Sequence, residues 1–247
     1  MKLNQDNYYS VEANQQFFSV SQYKDFMKCE AMALAKIRGE YRPAMTKAML
    51  TGSFVDTYFE GTLDSFKKEH PEVFTRKKEL RSEYRKANEI IQRVTEDKLF
   101  AQFMSGEKQR IMTFEMFGVP WKMKMDSYLP GICITDLKVV ANFRSLPLWR
   151  YDLQGAVYQE GVRLNTGEQL PFYLAVATKE RVTDLDIFQI TQPVLDIALR
   201  EVEMNIQHFM RVKEGLEDPS CCGKCDYCKG IKGAKIRDYS ELLEGIR

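Results

Sequence analysis

Residues 121–140, WKMKMDSYLPGICITDLKVV, place two aspartates and a lysine within thirteen positions: Asp126, Asp136 and Lys138. The stretch reads as two short strands turning at Pro130-Gly131, with Asp126 near the end of the first and the other two on the second. Side chains alternate along a strand, so Asp136 and Lys138 share a face. Two carboxylates and an ammonium thus converge at the end of a hairpin. Such a set suits a hard divalent cation, because Mg2+ takes a few carboxylates and keeps much of its water, with the ammonium beside it to steer a water or stabilise negative charge. Metal-dependent phosphodiester hydrolysis is the chemistry it supports.

A second group is sulfur-based. Of six cysteines, Cys29 and Cys133 stand alone, while Cys221, Cys222, Cys225 and Cys228 fall within eight positions. Cys222, Cys225 and Cys228 form C-x2-C-x2-C, with Cys221 an alternative first member, and such close spacing folds thiolates around one centre. With no export signal, the cluster favours zinc or an iron-sulfur centre over disulfides. Three ligands in the tail leave a fourth to be found. Cys133 lies on the strand face opposite Asp136 and reads as core, and His70 and His208 have no partner at ligand spacing.

The chain around these groups is 247 residues long, 44% hydrophobic and 29% charged, enough to bury a real core. No apolar run approaches the ~20 residues that span a bilayer, and the polar start MKLNQDNYYS lacks a signal-peptide core. No membrane partner and a cytoplasmic location are therefore expected. The formal net charge is +1, so any attraction for nucleic acid must come from local clusters and bound metal rather than a broad basic field.

The elements that must position the two groups follow from periodicity. After a polar arm, Ser21 caps a helix, QYKDFMKCEAMALAKIR, that stops at Gly39 and carries Cys29 on its apolar face with Phe26, Ala33 and Ile37. On that spacing alone Cys29 reads as a small core residue. AMTKAMLTGSFVDTYFEG reads as a second helix, in one piece or hinged at Gly52. Its Asp56 and Glu60, four apart, share a face that either reaches toward a metal or is simply solvated. TRKKELRSEYRKANEIIQRVTEDKLFAQFM reads as one long helix or two consecutive ones; Arg76, Lys77, Lys78, Arg81, Arg85 and Lys86 are interspersed with glutamates, the pattern of a solvated face more than a phosphate surface.

From Lys108 the period changes to two. KQRIMTFEMF, a turn at Gly118-Val119-Pro120, WKMKMDSYL, a second turn and ICITDLKVV form an antiparallel meander. Trp121, Met123 and Met125 take one face of the middle strand; Lys122, Lys124 and Asp126 take the other. A helix over 148–164 then carries Gln154 and Tyr158 on one face, followed by the strand PFYLAVATK and an extended VTDLDIFQI. A helix from Pro193 to Gly215, the cysteine loop and a polar helical tail complete the chain. The expectation is a single α/β domain over 1–247 with a mixed sheet flanked by helices. It comprises an N-terminal helical part (1–107), a core (108–192), and a C-terminal helix with the cysteine segment (193–247).

Placed on that order, Asp126, Asp136-Leu137-Lys138 and Gln154 with Tyr158 resemble the PD-(D/E)XK nuclease superfamily, in particular its RecB-like and RecE-like exonuclease branch. In that branch an acidic residue closes one strand, an acidic-X-Lys triplet sits on the next, and a Gln-X-X-X-Tyr pair lies on the following helix. The resemblance reaches back to GSFVD, Gly52 to Asp56, where the family commonly has His rather than Asp. It implies that Asp126, Asp136, the main-chain carbonyl of Leu137 and Asp56 hold Mg2+ or Mn2+, that Lys138 positions the nucleophile or stabilises transition-state charge, and that Gln154 and Tyr158 contact DNA. Several RecB-like nucleases, the AddB type among them, hold a [4Fe-4S] cluster with one N-terminal and three C-terminal cysteines. By that resemblance Cys29 becomes the fourth ligand beside Cys222, Cys225 and Cys228, with zinc the alternative metal and Cys221 still competing for a place.

The resemblance is to phage or prophage exodeoxyribonuclease VIII of the RecE type. It implies duplex DNA with ends as substrate, a RecT-type annealing protein as candidate partner, and a homo-oligomer. The alternatives are a DNA-end-binding recombination accessory protein whose core no longer cuts, and a structure-specific endonuclease.

Overall fold

The strand that carries Asp136 and Lys138 is the centre of the architecture. The computed structural model describes residues 1–236 and 238–242. Its strands are β1 (Arg110–Met116), β2 (Val119–Met125), β3 (Ser127–Leu129), β4 (Cys133–Val140), β5 (Phe172–Thr178) and β6 (Leu185–Ile190). β1 and β2 pair as an antiparallel hairpin, and the other four form a sheet ordered β3-β4-β5-β6. β4 runs parallel to β5, and the remaining pairs are antiparallel. The fold is a mixed α/β sheet flanked by helices, the architecture expected from the sequence.

β4 lies between two strands and is covered on both faces, so its residues from Cys133 to Leu137 are all buried. Its alternation divides the interior in two. Ile134 and Val140 join Phe172, Leu174 and Val176 of β5 in one core, while Leu137 joins Ala175 and Ala177 in the other. The first core is closed by α8 (Tyr151–Thr166) and α9 (Gln192–Glu214), together with α2 (Val20–Lys28) and α3 (Glu30–Ile37). The second is closed by α4 (Lys47–Glu60), α5 (Leu63–Glu69), α6 (Ser82–Glu96) and α7 (Lys98–Phe103). A Cβ on Gly155 would come within 2.7 Å of the Phe172 ring, so the glycine lets α8 lie close on the sheet and bring Gln154 to β4.

Several elements depart from the pattern read in the sequence. The middle strand of the meander breaks at Asp126: its first half pairs with β1 and its second half with β4. The first turn is Phe117-Gly118, both at positive φ (56° and 69°), one residue earlier than expected and of the kind that matches strand twist in a two-residue hairpin. The second falls at Pro130-Gly131, with Gly131 at φ 70° and the Ile132 N–H donating to the Leu129 carbonyl at 3.0 Å. The helix expected across 22–38 is two, capped by Ser19 rather than Ser21, because Cys29 is extended (φ −171°, ψ 110°) and starts α3.

The arm before it contains a short helix, α1 (Val11–Gln16), and Phe18 bridges to Trp121. The charged stretch 75–104 is also divided: residues 75–81 turn back, with Phe74 bridging Leu80, before α6 and α7. α4 is continuous through Gly52 and ends on Gly61 in the left-handed region. Of the tail, α10 (Asp226–Ile231) and a 3-10 turn, Tyr239–Leu242, are described; positions 237 and 243–247 lie outside the described residues. Among the described residues no helix is long and apolar enough to cross a membrane.

Candidate active site and cysteine clasp

Where the middle strand breaks, a side chain takes over from the ladder: Asp126 Oδ2 accepts the Leu137 N–H at 2.9 Å. Its Oδ1 accepts from Gln109 Nε2 at 3.2 Å. Ten residues on, Asp136 is 2% exposed, accepts from Gln154 Nε2 at 2.6 Å through Oδ1, and pairs with Lys138 through Oδ2. Tyr158, one turn along α8, donates its hydroxyl to the Lys124 carbonyl at 3.1 Å. From the opposite face of the sheet α4 brings Asp56 and Glu60, and Glu60 pairs with Lys124 at 3.8 Å. All of these groups line one cavity of about 280 Å3.

The electrostatics of this cavity follow from burial. Desolvation pushes the Asp136 carboxyl up to about 6, with Lys138 opposing and Asp126 adding to the shift. Desolvation, then the Asp126 charge, pushes Asp56 well above the usual carboxylate range. Burial alone would lower Lys138, but the Asp136 and Asp126 carboxylates outweigh it and hold the ammonium charged. Crowded acids with raised affinity for a proton are acids in want of a cation.

Of the buried acceptors, Gln109 Oε1 has no hydrogen bond, and Asp136 Oδ2 has the Lys138 ammonium as its partner. An oxygen acceptor left over beside several carboxylates fits a hard divalent ion such as Mg2+ or Mn2+. Asp56, Asp126, Asp136 and the Leu137 main chain are the groups that would hold it.

The cavity also contains residues that sequence pattern did not single out. Lys24 of α2 reaches it with Ser19 and Ser21, and burial lowers its ammonium to about 8. The N-terminal arm folds over it through Tyr8 and Tyr9. Lys122, expected on the polar strand face with Lys124 and Asp126, is 1% exposed beneath that arm and donates to the Tyr8 carbonyl and to Asn14 Oδ1. The alternation of β2 correctly set Lys122 and Lys124 opposite the methionines; nothing in the pattern revealed that a segment over a hundred residues away covers them.

The second group assembles at the other end of α2. The sulfurs of Cys29, Cys222, Cys225 and Cys228 all lie within 4.8 Å of one another, Cys29 to Cys228 at 3.4 Å and Cys222 to Cys228 at 4.0 Å. The N–H groups of Lys224 and Cys225 point at Cys222 Sγ and draw that thiol down to about 6. Cys221 is exposed and outside the group, and Cys133 is buried on β4 beside Thr135. These separations suit one tetrahedral ion, whose edge is roughly 3.8 Å for ~2.3 Å zinc-sulfur bonds. A [4Fe-4S] cubane, each thiolate on its own iron, needs the four sulfurs farther apart.

Beside the clasp, Glu30 Oε2 accepts the Ser220 N–H at 2.8 Å and Oε1 meets His208 Nε2 at 2.7 Å, while His208 Nδ1 meets Glu217 at 2.6 Å. His208 thus pins the loop that leads into the cysteine segment. His70 meets its neighbour Glu72 at 2.9 Å and packs its ring on Phe66, centroids 4.4 Å apart.

Comparison with known proteins shows the family of the chain. Residues 19–231 match the model of the PDDEXK-like domain of unknown function (DUF3799), most of the chain. The protein belongs to this PDDEXK-like family. A solved structure from Eubacterium rectale, described as a "Putative exonuclease", is 46% identical and superposes with a TM-score of 0.95 over 98% of each chain. The fold of SSO0001 aligns with 14% identity and a TM-score of 0.35 over 87% of this chain and 98% of its own, too remote to inform the site. Among curated proteins none matches significantly.

Proposed function

We propose that the protein is a metal-dependent deoxyribonuclease, an exonuclease of the RecE-like branch that hydrolyses phosphodiester bonds from the ends of duplex DNA. The observation that carries this reading is the convergence of Asp126, Asp136 and Asp56 on one cavity, with Lys138 paired to Asp136 among them and the buried Gln109 Oε1 left without a hydrogen bond. Membership of a PDDEXK-like family and the likeness to the Eubacterium rectale protein support it.

When bound, Mg2+ or Mn2+ supplies a water of lowered pKa and neutralises the scissile phosphate. The chain's own residues do the rest. Asp126 is fixed by the Leu137 N–H and Gln109, so its carboxylate is aimed before metal arrives. Gln154 orients Asp136. Lys138, held charged, stabilises the negative charge that develops on the phosphate oxygens. Tyr158 and Gln154 face the cavity from α8, where they meet the DNA strand beside the cut bond. The cysteine clasp holds a metal centre that ties the N-terminal helices to the C-terminal segment. Its sulfur spacing favours zinc, and the family resemblance favours [4Fe-4S].

The remaining expectations, a single nuclease domain, a cytoplasmic setting, a homo-oligomer and a RecT-type partner in phage or prophage recombination, belong to the same proposal. A second reading, an end-binding accessory protein with an inactive core, is favoured by Asp56 standing where relatives commonly have His. Incubation with linear and covalently closed duplex DNA in MgCl2 separates the readings. Digestion of the linear form alone is the expected result; cutting of the circle indicates an endonuclease, and end-binding without cleavage at any Mg2+ or Mn2+ concentration indicates the accessory role.

A further inference from the structure

Between β4 and α8 the chain makes a 3-10 turn, Phe143–Trp149, that leaves large apolar side chains half in water. With β6 and the start of α9 it encloses a second cavity of about 570 Å3, separate in its lining from the acidic one. Its walls are the rings of Phe143, Tyr151 and Phe188 and the aliphatic side chains of Leu146, Ile190 and Val194. Phe143 and Phe188 meet edge to face at 5.3 Å. The size is that of a small-molecule pocket rather than a packing defect.

One residue joins the two cavities. The Tyr151 ring carries the Lys138 ammonium at 5.2 Å and the Lys24 ammonium at 5.1 Å from its centroid, and both lysines line the acidic cavity. The same side chain forms a wall of the apolar groove. Lys24 also donates to the Trp149 carbonyl at 2.8 Å, which ties the 3-10 turn to the helix beside the acidic cavity. The turn ends at Arg150, a non-glycine residue at φ 50° whose guanidinium is clamped between Asp152 and Glu201. A strained backbone position held by two carboxylates fixes the groove's rim in one shape.

We infer that this groove receives an unstacked nucleobase of the DNA strand whose phosphate lies at Lys138, with Tyr151 as the shared wall between base and phosphate. The inference rests on the nuclease reading and names a part of its substrate site. A nucleotide is an apolar, stackable plane joined to an anion, and the surface has that order: aromatic groove, tyrosine, two ammonium groups. Every base has a π-face, so the contact holds the strand without reading its sequence. The groove selects a strand that has parted from its complement, because a paired and stacked base cannot enter it.

The test uses duplexes with a single abasic residue placed in turn at each of the terminal positions, bound in CaCl2 and cleaved in MgCl2. For the wild-type protein, loss of the base at one position weakens binding by about 10-fold, the scale of one base-aromatic stack, with little effect at other positions. In Phe188→Ala the same abasic substitution costs less than about twofold, because the partner of the base is already gone. Val194 is 44% exposed at the rim, so Val194→Glu leaves the fold intact and weakens binding of fully based DNA.

The inference is overturned if no abasic position affects the wild type, or if Val194→Glu binds as the wild type does. It is also overturned if the wild type sediments as an oligomer that Val194→Glu dissociates, since a second copy would then fill the groove. Absence of cleavage by the wild type would overturn the nuclease reading itself, whereas cleavage indifferent to the abasic residue overturns only the groove's role.

Discussion

The Gln154 amide donates to the buried Asp136 carboxylate at 2.6 Å, which makes this glutamine an orienter of a metal-holding group as well as a residue facing the DNA. A Gln154→Ala variant leaves Asp136 without that donor. A lost hydrogen bond to a charged group costs about 1.5–3 kcal/mol, or roughly 10- to 100-fold in rate if the geometry matters only in the transition state. The expected result is a fall of that size in kcat with a raised Mg2+ requirement. An increase in KM for DNA alone would mean that Gln154 acts only on the substrate.

Asp56 supplies effects of opposite sign on stability and metal binding. Its carboxyl is pushed up by burial and by Asp126, so its ionised form destabilises the metal-free protein. Asp56→Asn should raise the metal-free Tm by about 2–4 °C, what ~1 kcal/mol is worth in a chain of this size. The same change should raise the Mg2+ concentration for half-maximal activity at least about tenfold if Asp56 is a ligand. Higher Tm with an unchanged Mg2+ requirement would remove Asp56 from the ligand set.

The clasp makes a prediction about which cysteines matter. Cys29→Ser and Cys225→Ser should each lose the bound metal and lower Tm by about 10 °C, whereas Cys221→Ser, outside the group, should change neither. Protein purified without oxygen reports the metal directly: a brown solution with iron and sulfide indicates [4Fe-4S], and a colourless one with equimolar zinc indicates the single-ion site. Metal loss in Cys221→Ser would overturn the assignment of Cys222 as ligand.

Much of this was legible because it is local. Alternation located the strands around Asp126 and Asp136, and spacing alone put Gln154 and Tyr158 on one helical face. The breaks were not legible, because they are set by distant partners. Periodicity runs straight through Cys29, from Phe26 to Ala33, whereas the extended residue there meets Cys228 and the Ser220 carbonyl, about 190 residues away or more. Likewise Asp126 interrupts its strand because Leu137 offers it an N–H, and Lys122 is buried because the N-terminal arm folds back over it. His208 was silent in the sequence because its partners, Glu30 and Glu217, lie on other elements.

That histidine gives the pH dependence. The hydrogen bond that His208 donates to Glu30 is the main cause of its raised pKa, with burial opposing and Glu217 adding. A histidine raised in the folded state stabilises fully below its unfolded value near 6.5, and the contribution fades as pH rises through the higher folded value. The Tm difference between wild type and His208→Gln should therefore be largest near pH 6 and shrink above it. The effect is small and salt-sensitive, because the His208 side chain is 42% exposed. A difference that grows with pH would contradict the ion-pair role.

The catalytic centre itself is tested most directly by Lys138. A time course of linear duplex digestion in MgCl2, run for the wild type and for folded Lys138→Ala, should show rapid loss of duplex for the first and at least a ~100-fold slower loss for the second, with DNA binding in CaCl2 retained. Digestion by Lys138→Ala at the wild-type rate would contradict a phosphodiester-cutting centre built on Asp126, Asp136 and Lys138.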